Sequence, residues 1–146
     1  MERIYKITTS NLLIISSTTF VNTGLSIPIV GAKNIKAKWW IPFGIAGALS
    51  GIKFQFTLPG TVSFLNSTWK INDNPNQAEI LFAASGIPPV FSKPMPAGGN
   101  NWLELDAVFL GGPTTIGEIE VQVAQAVSDV QSINIMKGAY AEATVF

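Results

Sequence analysis

Glu104 and Asp106 in "NWLELDAVFL", and Glu118 and Glu120 in "GEIEVQVAQ", stand two residues apart in strand-like runs. On a strand this spacing puts both carboxylates on one face, with Cα atoms about 6.6–6.8 Å apart. Glycoside-hydrolysing carboxyl pairs use comparable separations. Such a pair also needs a cleft and one acid held protonated, whereas any alternating strand with a polar face produces the same spacing. The pairs are read as solvated faces. Asp73 in "NDNPN" offers an oxygen ligand to a hard cation, but the repeated acidic spacing of a calcium loop is missing, so the segment reads as a turn. "AGGN" and "LGGP" lack phosphate-cradling spacing after a strand and read as turns too. The chain has no histidine and no cysteine. That removes Ser-His-Asp catalysis, thiol nucleophiles, the usual zinc ligands and disulfides. No catalytic residue, metal ligand or cofactor is assigned, and the expectation is a non-enzymatic protein.

A different chemistry is offered by Lys36, Lys38 and Trp40 in "NIKAKWWIPF" (34–43). Neighbouring strand residues point to opposite faces, so Trp39 and Trp40 cannot share one core. Ile35, Ala37, Trp39, Ile41 and Phe43 form the inward set, which leaves Lys36, Lys38 and Trp40 outward. Burying a Trp removes about 150–250 Å² from water, on the order of 4–6 kcal/mol at roughly 25 cal/mol per Å². An outward Trp40 forgoes that unless something covers it. Lysine stems can pack over the ring while their heads stay wet. The trio could stack a sugar ring or a base. Contact with another protein chain, where aromatic residues are enriched, is the expected use.

Alternation places the same residues in other strands. In 101–110, Leu103, Leu105, Ala107 and Phe109 face inward. Glu104, Asp106, Val108 and Leu110 face outward, so that face begins polar and ends apolar. Val108 and Leu110 join Lys36, Lys38 and Trp40 as candidate interface residues. In 117–124, Ile119, Val121 and Val123 oppose Glu118, Glu120 and Gln122.

The elements that carry these residues are strands. Runs at 4–10, 12–23, 25–30, 34–43, 52–58, 61–71, 78–85, 101–110, 117–125 and 132–146 are rich in Ile, Val, Thr, Phe and Trp and are separated by Gly, Pro and Asn. Many short strands with regular turns predict an all-β sandwich or barrel. "QAVSDV" (125–130) has room for one short helical turn. The Pro- and Gly-rich stretch 86–100 is the longest predicted loop, either functional or a rigid crossover between sheets.

The 146 residues suit a single domain. Nine basic and nine acidic residues balance, which argues against a nucleic-acid partner. Charged residues are 12% of the chain, against roughly 25% in an ordinary soluble domain, and the mean hydropathy is +0.35. The apolar run at 39–49 is too short for the roughly 20 residues a bilayer requires. "NLLII" is too brief for a signal-peptide core, so neither membrane insertion nor a signal peptide is expected. A chain this poor in charge is expected to cover apolar surface with a neighbouring subunit.

"TTFVNTGLSIPIVGAKNIKAKWW" (18–40) followed by "SGIKFQF" (50–56) resembles a β-sandwich module of tailed-bacteriophage virion proteins. Thr18, Thr23, Gly24, Leu25, Ser26 and Ile27 match the module's first part. Trp39 and Trp40 occupy its aromatic strand, and Ser50 and Gly51 precede its next strand. Gly31-Ala32 reverses its usual Ala-Gly order. The closing hairpin, "GEIEVQVAQAVSDVQSINIMKGAYAEA" (117–143), is similar through Lys137, Gly138 and Tyr140. The resemblance implies a single antiparallel β-sandwich of jelly-roll type over residues 1–146, commonly homotrimeric, without a cofactor. It implies a virion location, on the capsid or tail exterior, for a protein made in the host cytoplasm. With no heptad shaft or repetitive β-region, the expected role is a capsid decoration or minor capsid protein that binds the major capsid protein or another virion protein. The alternative is a head- or tail-fibre module that binds a host receptor or surface glycan. Residues 1–11 are expected to be a docking arm or the first strand.

Overall fold

The β-branched and aromatic runs form strands throughout, in a computed structural model that describes residues 2–47, 50–72, 78–83, 90–95 and 97–146, with residues 72 and 78–83 described by their backbone alone. Thirteen strands occur among the described residues: β1 (Glu2–Ile7), β2 (Leu12–Ile14), β3 (Val21–Asn22), β4 (Ile27–Val30), β5 (Asn34–Ile45), β6 (Ile52–Thr57), β7 (Ser63–Asn72), β8 (Ala78–Ala83), β9 (Phe91–Lys93), β10 (Gly98–Leu110), β11 (Ile116–Gln125), β12 (Ile133–Ile135) and β13 (Tyr140–Val145). No helix appears among the described residues.

Two antiparallel sheets pack face to face. One contains eight strands, with β1-β13-β5-β10-β7-β8 as its spine and β12 and β2 continuing beside β5; the other contains five, β3-β11-β6-β9 with β4 also on β11. The order is that of a long ribbon rolled up on itself. β3 and β4 lie against β11, β5 against β10, β6 against β9, and β7 against β8. Each pair nests inside the previous one in sequence, and successive pairs alternate between the sheets. That winding is a jelly roll. The chain ends extend the larger sheet past β5, because β13 pairs with β5 and β1 pairs with β13 over its whole length.

The core lies between the sheets and follows the predicted alternation. Ile35, Ala37, Trp39, Ile41 and Phe43 are buried, as are Leu103, Leu105, Ala107, Phe109, Ile119, Val121 and Val123. Trp39 sits 5.5 Å from Phe56 and 6.4 Å from Phe109, centroid to centroid. Its indole N–H donates to the Leu25 carbonyl at 2.9 Å, so the ring is buried without an orphaned donor. Pro28 lies on β4, at the border of the smaller sheet, a place that tolerates a residue without an N–H.

Four local expectations are corrected. The stretch 86–100 is not all loop: β9 lies within it, and buried Phe91 stacks on Trp69 at 5.9 Å with planes 6° apart. The run 12–23 is interrupted after Ile14, with Ser16 at φ 52°, and 132–146 is interrupted by Gly138 at φ 91°. No helical turn forms at 125–130. The buried Gln125 side chain holds that segment instead: its Oε1 accepts from the Asp129 N–H, and its Nε2 donates to the carbonyls of Asp129 and Gln131.

Candidate functional site

Cross-strand register assembles the outward residues of the larger sheet into rows. Residues directly opposite in an antiparallel pair share a face. One row reads Ile7, Tyr140, Trp40, Glu104, Lys70, and the next reads Tyr5, Glu142, Lys38, Asp106, Thr68. A third carries Arg3, Thr144, Lys36, Val108 and Asn66.

Trp40 is half-buried, and its cover comes from its own chain. Its ring stacks on Tyr140 at 5.9 Å with planes 28° apart, and Tyr140 stacks on Tyr5 at 5.8 Å and 25°. The three rings form a row of tilted, laterally displaced contacts running across β5, β13 and β1. Tyr5, at the end of the stack, is 61% exposed, and Ile7 beside it 53%.

An ion pair lies beside the stack. Lys38 Nζ lies 2.6 Å from Glu104 Oε1. That hydrogen bond with Glu104, opposed by partial burial and aided by the charges of Glu104 and Asp106, raises the Lys38 pKa above its ordinary value. Burial of part of its surface raises the Asp106 pKa; Lys38 and Lys36 oppose this, while Glu104 and Glu142 reinforce it. Lys70 places Nζ 5.7 Å from the centre of the Trp102 ring. A hollow of 580 Å³ on this face is lined by Arg3, Tyr5, Lys36, Lys38, Asp106 and Glu142, among others. Glu104 and Asp106 do share a face, as their spacing required, but Glu104 is engaged by Lys38 rather than facing Asp106 across a cleft. Glu118 and Glu120 lie far off on the smaller sheet, where Glu120 Oε2 accepts from Thr57 Oγ1 at 3.5 Å. Asp73 falls outside the described residues.

The five candidate residues are on the expected face but do not form one cluster. Lys38 and Trp40 flank Glu104, whereas Lys36 sits between Val108 and Thr144, and Leu110 lies across from Asn34. Val108 is half-buried and Leu110 is exposed. Tyr5 and Tyr140 were not among the expected site residues. Alternation alone would have turned both outward, but only the pairing of the two chain ends brings them to Trp40.

The opposite face of the sandwich has another character. Gln55 Nε2 donates to Gln122 Oε1 at 2.8 Å, and Gln122 Nε2 to Asn22 Oδ1 at 2.7 Å, forming a polar ladder over β6, β11 and β3. The aromatic stack thus marks one face only. No protein-family model, curated protein or solved structure matches the chain.

Proposed function

We propose that this chain is a non-enzymatic structural protein of a tailed-bacteriophage virion, a homotrimer that binds the capsid exterior through the major capsid protein and stabilises it. Besides the resemblance in sequence, a jelly-roll winding is one that virus capsid domains use, along with lectins; a fold by itself does not fix a function. The observation that carries the reading is the Tyr5–Tyr140–Trp40 stack on an exposed sheet face. Its rings stand in a row across three strands beside the Lys38–Glu104 ion pair. Protein interfaces combine such aromatic anchors with a polar rim. The test is to image particles of the encoding virus with and without the protein and to measure rebinding of the purified chain to the deficient particles. Trp40→Ala is expected to weaken rebinding at least about tenfold, the scale of losing an interface anchor. Undiminished rebinding, or none by the wild type, would remove the reading.

A glycan-binding fibre module is the second reading. The open outer ring of Tyr5 beside the hollow that holds Arg3, Asp106 and Glu142 favours it. It calls for Tyr5→Ala to abolish attachment to host cells while particle binding persists.

A further inference from the structure

The larger sheet ends in β1, a strand with one paired side. On the other side its backbone has no strand neighbour among the described residues. Its sequence is Glu2-Arg3-Ile4-Tyr5-Lys6-Ile7, and all but Ile4 are exposed. Glu2, Arg3 and Lys6 have no ion-pair partner among the described residues. Beneath it, between the borders of the two sheets, lies a hollow of 310 Å³ lined by Glu2, Ile4, Pro28, Ile29, Ile35 and Val145, among others. The edge is therefore unpaired, charged at intervals, and backed by apolar side chains that a neighbour could cover.

We infer that β1 is a two-fold contact between two copies of this chain, formed by antiparallel pairing of β1 with itself and centred on Ile4. The symmetry permits few registers. A two-fold axis perpendicular to the sheet keeps each sheet face continuous, so a residue can oppose only another from the same face. Centring on Arg3 would set the two Arg3 side chains against each other, and like charges directly opposite are destabilising. Centring on Tyr5 would set Lys6 against Ile4 and Arg3 against Ile7. Centring on Ile4 sets Glu2 against Lys6 twice, Arg3 against Tyr5 twice, and Ile4 against its own copy. Each of these pairs is favourable in kind: opposite charges, a guanidinium beside an aromatic ring, and two aliphatic side chains.

The structure around β1 fits that register. Tyr5 is the open end of the aromatic stack, so Arg3 of the second copy would cover the ring left bare by Tyr140. Ile4 packs against the edge of the core, and the second Ile4 would extend that contact over the hollow. Charged side chains on an edge strand otherwise serve to prevent association; the matching of charges about a single residue is what separates the two uses. The contact does not rest on the proposed virion role. A two-fold cannot close a trimer, so it would join copies from neighbouring trimers.

The absence of cysteine makes the register directly testable, since a single Ile4→Cys thiol can pair only with its own copy. Opposite residues lie about 4.5–5.5 Å apart at Cβ, close to disulfide reach. Mild oxidation of Ile4→Cys is expected to give a covalent dimer. Sedimentation at low salt is expected to show even-numbered assemblies of the wild type, weakened about tenfold or more by Glu2→Lys or Lys6→Glu and restored by the double exchange. A wild type that stays monomeric or strictly trimeric at every concentration overturns the inference. So does a double exchange no better than the single changes, or Ile4→Cys remaining a thiol. Should a charge variant fail to fold, the cysteine result decides alone. Dimers that persist when Trp40→Ala abolishes particle binding separate this contact from the proposed function.

Discussion

Trp39 and Trp40 are chemically identical neighbours with opposite tasks. Trp39 is fully buried, its N–H bonded and its ring among Phe56 and Phe109. Trp39→Ala should cost about 3–5 kcal/mol of folding stability, the range for large-to-small core changes. Trp40→Ala should cost about 1 kcal/mol, the scale of a lost aromatic pair. Denaturant titration of both variants checks the contrast. The charges nearby set a pH dependence. The raised Asp106 pKa means that the folded state prefers the protonated acid, so ionisation costs stability. This cost is absent below the ordinary carboxylate value of 3.8 and develops as the pH rises through the higher folded value. Asp106→Asn should therefore add stability at neutral pH, less than about 1 kcal/mol given solvent screening and seen as a higher melting temperature, and bring no gain in acid. Lys38 has the opposite sense. Its raised pKa contributes stability that is complete below 10.5 and is lost as the pH climbs through the folded value. Melting curves against pH for Asp106→Asn and Lys38→Met should separate the two.

Elements were legible where the pattern was local. β5, and most of β10 and β11, alternate, and the inward and outward sets at 35–43, 103–110 and 118–123 followed from a period of two. Two kinds of information were not local. Pairing of β1 with β13 joins the two ends of the chain, so the Tyr5–Tyr140–Trp40 stack has no signature in any window of sequence. β9 spans only Phe91–Lys93 between proline-rich flanks and is held by Phe91 packing on Trp69 and by its register with β6, neither of which propensity can show. Close approaches of backbone are similarly hidden. Gly51 opens β6 at φ 58°, and a Cβ there would lie 2.9 Å from the Lys93 carbonyl oxygen and 3.2 Å from Ala126 Cβ. Gly51→Ala combines a left-handed conformation with a clash against β9. It should cost about 2 kcal/mol or more, beyond the roughly 1–2 kcal/mol of the conformation alone. A shifted midpoint of chemical unfolding, with unchanged slope, is the expected signature.

On the scale of the molecule, low charge led to the expectation of one apolar flank meant for another chain. Exposed apolar side chains stand at several places. Tyr5 and Ile7 stand on β1, Leu13 and Ile15 follow on and after β2, and Val30 and Ile116 pair across β4 and β11. The polar ladder of Gln55, Gln122 and Asn22 occupies the other broad face. The scarcity of charge is thus resolved at edges and along one aromatic row, and surfaces of that kind suit several limited contacts between neighbours better than one continuous interface. Sedimentation equilibrium of the unmodified chain across a wide concentration range tests this most directly. The proposed subunit contacts predict a mass that is a multiple of 15.6 kDa and is lowered when Glu2→Lys weakens the β1 contact. A constant 15.6 kDa for the wild type at every concentration would contradict it.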